Sequence, residues 1–312
     1  MSEFVMLVGI PACGKSTLSN EYRAKGYEIL SSDQIRLEMA GTENVFQLEK
    51  TALNELNASV FEYIKKKASE LLKNGKSVVI DATSLGRKKR KNFVSYVRRT
   101  KCKKTCVLII TPRDVCLERN EKRTGIAKVP QASMQKMLCG FECPNYWEGW
   151  DEIIPVAYNE TYTFPFEETM NFNQDNPHHT HTLFEHMDIA RQYGIDNSYP
   201  DYLVRVLKYH DIGKLYVKAF ENRKGEKTEF AHYYGHENYS AYLYLTEMCC
   251  GKNLTQDEFK QILYEASLIN CHMRPLAIWR DSPNAKKNDK ELFGEQFIND
   301  LILVHKADRF AH

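Results

Sequence analysis

Residues Gly9-Ile-Pro-Ala-Cys-Gly-Lys-Ser16, followed by Thr17, fit the G-x-x-x-x-G-K-S pattern of a phosphate-binding P-loop. The chemistry follows from the backbone: successive N–H groups wrap a polyphosphate at the positive end of a helix, Lys15 neutralises the β/γ oxygens and the Ser16 hydroxyl ligates Mg²⁺. ATP, or another nucleoside triphosphate, is therefore expected on Gly9, Cys13, Gly14, Lys15, Ser16 and Thr17. A kinase also needs an acceptor-side base and a cationic lid. Asp33, in Ser32-Asp-Gln-Ile-Arg36, can accept the proton of an incoming hydroxyl, and Arg36, one helical turn on, can hold a neighbouring acceptor phosphate. Arg119 and Arg123 are four apart, so a helix running to Arg123 would put both on one face to close over the transferring phosphoryl group and to bind the donor. The plainer readings are a helix cap at Ser32-Asp33 and a solvated basic face at 119–123. Asp81-Ala-Thr83 adds a carboxylate and a hydroxyl. The basic run Arg87-Lys-Lys-Arg-Lys91 fits a nucleic-acid backbone or a solvated helix start equally well.

A second concentration of chemistry lies in the other half. His186, His210-Asp211 and Asp308, with His236 and His272 between them, are spaced like the signature of HD-type metal-dependent phosphohydrolases, which they resemble. Adjacent His and Asp at a helix end can face one ion, with His186 and Asp308 completing its set. Imidazole with carboxylate suits Mn, Fe, Co, Ni or Zn better than Ca²⁺. His236 and His272 could hold a second ion with Asp211 bridging, and two ions can together activate water and polarise a phosphate. Any one of these histidines alone would more simply be a core or surface residue. The stretch Asn176–His186 also resembles the opening helix of HD domains of tRNA nucleotidyltransferase type, which implies His179 near the substrate. Lys214 would bind the substrate phosphate or a metal-bound group.

These residues need elements to hold them. An apolar run at Phe4–Val8 leads through the glycine loop into a helix from Ser16 to Ala24. Glu28–Leu30 reads as a strand, about 45–73 as a long helix closed by Asn74-Gly75, and Ser77–Asp81 and Thr105–Ile110 as buried strands. A helix over Val115–Arg123 follows. Strands alternating with helices imply a parallel sheet with flanking helices, an α/β P-loop NTPase domain over 1–158. Residues 159–178 carry no period. Beyond them helical stretches dominate, at about 180–193, 200–210, 236–250, 255–271 and 291–312, so an all-α HD domain is expected over 159–312.

Composition sets the class: 312 residues, 43% apolar and 27% charged, describe an ordinary globular chain large enough for two cores. The formal charge is +7 over residues 1–160 and −5 over 161–312, so the first half is the better host for a polyanion. No apolar run approaches the length of a membrane span, and the start lacks the basic and long apolar regions of a signal peptide, so a cytoplasmic protein without membrane attachment is expected. Nine cysteines without framework spacing read as free thiols; Cys102/Cys106 and Cys139/Cys143 are spaced too widely for the common zinc knuckle.

The motifs at 9–16, 32–36, Asp81-Ala-Thr-Ser-Leu-Gly-Arg-Lys-Lys-Arg90 and Arg119-Asn-Glu-Lys-Arg123 together resemble the 5′-hydroxyl polynucleotide kinase family over about the first 150 residues. The resemblance implies that Asp33 is the general base, that Arg36 contacts the 3′ phosphate of the acceptor nucleotide, and that Arg119 and Arg123 contact the donor phosphates. Kinases acting on small molecules or charged tRNA share much of the layout. Paired with a phosphohydrolase, it implies healing of RNA or DNA ends: phosphorylation of a 5′-OH and removal of a 2′/3′ or 2′,3′-cyclic phosphate, ahead of a separate ligase. The alternative is a small-molecule or nucleoside kinase joined to a nucleotide phosphohydrolase. Oligomeric state is not legible.

Overall fold

The first strand is apolar along its whole inner length, and Phe4 to Val8 are each fully buried, as a strand covered on both faces must be. In the computed structural model, which describes residues 1–41, 49–177, 180–282 and 284–312, this strand, β1 (Ser2–Val8), is the middle of a five-stranded sheet. The chain divides into two compact units, Met1–Met134 with Pro144–Tyr158, and Gln135–Cys143 with Asn159–His312.

In the first unit the elements run α1 (Lys15–Ala24), β2 (Glu28–Ser31), α2 (Ser32–Ala40), α3 (Lys50–Lys73), β3 (Val78–Asp81), α4 (Arg87–Val97), β4 (Cys102–Ile110), α5 (Arg113–Glu121), the start of α6 (Gln131–Cys139), and β5 (Glu152–Ala157). The sheet order is β2-β3-β1-β4-β5 with every pair parallel; Met6 lies between Ile80 and Cys106. The chain leaves β1 toward one edge and later crosses to the other, so the crevice beyond the carboxyl ends of these strands is where an α/β sheet takes its ligand. The P-loop, the start of α2, Asp81 and Thr111 all lie at that end. The beginning of the expected 45–73 helix falls outside the described residues. Two expectations need correction. Strand β4 starts at Cys102, and helix α5 stops at Glu121 with Lys122 as its cap, because the Arg123 N–H bonds to Asn120 O three residues back instead of continuing the four-residue ladder.

The basic run is also sorted by the fold. Arg90 is fully buried in a two-pronged ion pair with Glu148 (Nε–Oε2 2.8 Å, Nη2–Oε1 2.7 Å), and its Nη1 donates to the carbonyls of Ser84 and Leu85. Trp150 Nε1 donates to the same carboxylate. A charge so removed from water persists only when its donors and acceptors are satisfied.

The second unit holds the end of α6, α7 (Glu167–Met170), α8 (Leu183–Asp196), α9 (Asp201–Tyr209), α10 (Lys214–Val217), β6 (Ala219–Glu221), β7 (Lys227–His232), α11 (His236–Cys249), α12 (Gln256–Cys271), α13 (Ala285–Phe293) and α14 (Glu295–Phe310). Two helix starts are written in the sequence as capping boxes, Thr182/Glu185 for α8 and Thr255/Glu258 for α12. This unit is mostly helical but not all-α, since β6 and β7 form an antiparallel hairpin. Residues 135–143, expected in the first domain, group with the second unit. Asn238 and Asn270 donate to the carbonyls of Cys139 (2.6 Å) and Phe141 (3.0 Å), and Phe141 packs edge-on against Tyr242. Gly235 permits this approach: at φ 80° it is already left-handed, and a Cβ there would meet Cys139 at 2.7 Å. None of the nine cysteines is in a disulfide.

Candidate functional site

The glycine loop turns where Ala12 (φ 64°) and Gly14 (φ 111°) take left-handed backbone, aiming the N-terminus of α1 into the crevice. Gly9 must stay bare, because a Cβ would sit 2.6 Å from Cys13 Sγ and 3.2 Å from Ile109 O. Lys15 Nζ donates to the carbonyls of Gly9 (3.0 Å) and Ile10 (2.7 Å), and Thr111 Oγ1 donates to Cys13 O. Ser16 and Thr17 are exposed in the first turn of α1. Asp81 accepts a bond from Ser19 Oγ at 2.8 Å. Burial pushes the Cys116 thiol up, with Cys13 adding to it, while Lys15, Arg119 and Arg123 pull the other way, so three cations bear on the same end of β4. Arg119 lies over the Tyr158 ring, 5.4 Å from its centroid. At the start of α2, Ser31, not Ser32 or Asp33, is the cap, accepting from Gln34 N. The Asp33 carboxylate is thus released from capping; its side chain is 86% exposed and takes Arg36 Nη1 at 2.5 Å. Arg36 Nε donates to Asn57 Oδ1 at 2.8 Å.

In the second unit six side chains from five elements converge. His186 comes from α8, His210-Asp211 from the end of α9, His236 from the start of α11, His272 from the end of α12 and Asp308 from α14. The ligand-capable atoms of His186, His210, Asp211 and Asp308 lie within 4.8 Å of one another, and those of Asp211, His236 and His272 do likewise. Each imidazole has Nδ1 against a backbone carbonyl: Ala311 (3.2 Å), Leu207 (2.8 Å), Tyr233 (2.6 Å) and Ile269 (2.7 Å), in order. Each Nδ1 thereby carries a proton, and all four Nε2 atoms face inward, where each can offer a lone pair to an ion in place of a proton. They meet each other, His186 with His210 at 3.3 Å and His236 with His272 at 3.2 Å, and they meet carboxylates: His186–Asp308 3.1 Å, His186–Asp211 3.2 Å, His236–Asp211 3.0 Å. Asp211 Oδ1 is buried without a hydrogen bond. Lone pairs gathered around buried carboxylates call for cations, and the donor set fits two divalent transition ions sharing Asp211.

The charge states agree. Burial opposes ionisation of Asp211 and Asp308, yet Lys214 with His210, His236 and His186 holds Asp211, and His186 with His210 holds Asp308, well below the usual carboxylate range. Burial likewise works against the His186 imidazolium, but bonds to Asp211 and Asp308 outweigh it and carry the group up to about 9. Lys214 Nζ reaches Asp211 Oδ2 at 2.7 Å and Gln174 Oε1 at 2.9 Å.

Residues 4–144 match the AAA domain family. Over 173 residues the chain is 25% identical to an L-seryl-tRNA(Sec) kinase of Methanococcus maripaludis, covering 54% of this chain and 63% of that one. Its N-terminal unit is a P-loop kinase-like domain. It is also 28% identical over 155 residues to transcription factor bHLH140 of Arabidopsis thaliana, covering 48% of this chain and 15% of that protein. The chain thus spans less than two thirds of either relative. Similar solved structures are a putative kinase from Chloroflexus aurantiacus (18% identical, TM-score 0.41, 50% of this chain and 84% of that one) and Chaetomium thermophilum Kti12 with ADP-AlF3 (14%, TM-score 0.39, 50% and 90%).

Within the kinase-like domain Asn120 is a buried residue that no sequence motif marks. Its buried amide donates to Val129 O (2.8 Å) and accepts from Val129 N (2.9 Å), which ties down the segment carrying Arg123. No local pattern marks a bond to a residue nine positions on. Arg123 itself lies past the end of α5, so it does not share a helix face with Arg119 as the spacing suggested. In the second unit Gln174, which is fully buried and holds Lys214, was likewise unmarked. His179 lies outside the described residues. No helix among the described residues is long and apolar enough to cross a membrane.

Proposed function

We propose that the chain heals nucleic-acid ends, RNA ends in particular: the kinase-like domain phosphorylates a 5′-OH from ATP, and the second unit is an HD-type phosphohydrolase that removes a 2′/3′ or 2′,3′-cyclic phosphate. The likeness to a kinase whose name gives it a tRNA acceptor supports an acceptor hydroxyl carried on RNA. In this reading the loop amides and Lys15 hold the donor phosphates, Ser16 holds Mg²⁺, and Asp33, oriented by Arg36, takes the hydroxyl proton. Arg119 and Arg123 offset charge on the transferring group.

The observation that carries the hydrolase half is the inward turn of four Nε2 atoms around Asp211 and Asp308. His186, His210, Asp211 and Asp308 would hold one ion, and His236 and His272 with Asp211 a second. Mn, Ni, Co, Fe or Zn would supply an activated water and a polarised phosphate. The backbone carbonyls fix the imidazole tautomers, and Lys214, steadied by Gln174, orients the substrate phosphate.

The test is an RNA oligonucleotide bearing 5′-OH and 2′,3′-cyclic phosphate, incubated with protein, ATP, Mg²⁺ and Mn²⁺ or Ni²⁺, with both ends read by mass spectrometry. Gain of a 5′ phosphate and loss of the terminal phosphate are expected. An untouched oligonucleotide alongside ATP-dependent phosphorylation of a free nucleoside or metabolite would sink the proposal.

A further inference from the structure

Helix α4 distributes its basic run in distinct directions. Arg90 goes into the core with Glu148, while Arg87 and Lys91 lie over the Trp147 ring at 5.2 and 5.7 Å. Lys89 turns toward α3 and rests 3.6 Å above the centroid of Phe61. One turn earlier on α3, Asn57 holds Arg36, and Arg36 holds Asp33. Lys89 is therefore half-buried on an aromatic face beside a second cation, with Asp33 as the carboxylate favouring its charge.

We propose that Lys89 is a specificity-determining residue of the acceptor site, forming with Arg36 a two-cation cradle for a phosphate that the acceptor carries next to the hydroxyl presented to Asp33. Two like charges brought together out of water repel, and an anion bridging them relieves the repulsion and bonds both. The ammonium bears the mark of that crowding: burial chiefly, and Arg36 after it, hold Lys89 down at about 8, against the opposing pull of Asp33. Phe61 fixes where the charge sits, as a cation over a ring face. A neutral sugar or a plain nucleoside would add no anion to the pair beyond Asp33; a nucleotide bearing a phosphate or phosphodiester would. The inference rests on the kinase reading of Asp33.

The test compares adenosine 3′-monophosphate with adenosine as 5′-OH acceptors, for the wild-type chain, Lys89→Met, Lys89→Gln and Lys89→Arg. Methionine keeps the packing on Phe61 and removes the charge. With the 3′-monophosphate, KM is expected to rise about tenfold in Lys89→Met and Lys89→Gln at nearly constant kcat. Turnover of adenosine, which brings no phosphate to the cradle, should change far less, and Lys89→Arg should recover most of the loss. An equal change for both acceptors, or none for either, overturns the assignment. Calorimetric binding of adenosine 3′-monophosphate without ATP separates this idea from the reading beneath it. If the wild-type chain phosphorylates no 5′-OH but its affinity for the 3′-monophosphate falls tenfold in Lys89→Met, the end-kinase reading fails and the cradle stands. If turnover occurs and affinity does not move, or if the wild-type chain does not bind the 3′-monophosphate, the cradle fails.

Discussion

The two candidate sites are built by opposite physical means. The kinase-like site is assembled from backbone amides at a helix end and from side chains that reach water, such as Ser16, Thr17 and Asp33. The His/Asp cluster is sealed: His186 and His210 are wholly buried and Asp211 nearly so. An open site can leave its charges to solvent, so its residues need little mutual support. A buried site cannot, and every group in it must be tethered, as the four Nδ1 atoms are to carbonyls, or compensated by a cation. Changes in the first site should therefore disable chemistry at small cost in stability, whereas changes in the second should disturb both.

The largest effect tests that contrast directly. Asp33→Ala is expected to lower phosphoryl transfer by roughly 10²–10⁴-fold with an unchanged melting temperature. Asp211→Ala is expected to abolish divalent-ion retention, read by elemental analysis, and to destabilise the chain by about 3–5 kcal/mol, as loss of one partner in a buried charge cluster does. Loss of both activities from either change in a folded protein would break the two-site view.

Arg90→Met should cost about 3–5 kcal/mol in urea unfolding, because Glu148 is left charged and unpaired, and Arg90→Met with Glu148→Leu should recover much of it. This variant asks whether the kinase-like domain, open at its site, is as charge-sensitive in its core as the second unit is. A smaller cost follows from Gly213→Ala, whose Cβ would meet His236 O at 2.4 Å and Ser240 N at 2.8 Å. Moving the start of α11 should cost about 1–3 kcal/mol and loosen His236, measurable as weaker Mn²⁺ binding.

The smallest effect is in pH. His186 is raised from 6.5 to about 9 in the metal-free fold, so the folded state binds more protons than the unfolded one between those values. Its contribution is full below pH 6.5 and is lost as pH rises through about 9. Metal-free protein should thus melt lower at pH 9 than at pH 6.5. Mn²⁺-loaded protein should not, because an ion competes with that proton and binds better as pH rises. The same trend in both samples would argue against His186 as a ligand.

What the sequence determined by itself was local. Eight consecutive residues specify the glycine loop, since its shape depends on a missing side chain at Gly9, on left-handed backbone at Gly14 and on a helix that starts at once. Apolar runs specify the strands, and the capping boxes at Thr182 and Thr255 specify where α8 and α12 begin. The six His and Asp residues could be named together from types and order. Only the tertiary structure decided what depends on partners distant along the chain. Arg90 looks like its basic neighbours until Glu148 arrives from 58 residues on. Residues 135–143 group with the second unit because Asn238 and Asn270 bond their carbonyls. The inward Nε2 atoms depend on carbonyls such as Ala311, 125 residues from His186. Spacing encodes periodicity and caps, which act over one or two turns; charge burial and tautomer choice are settled by packing.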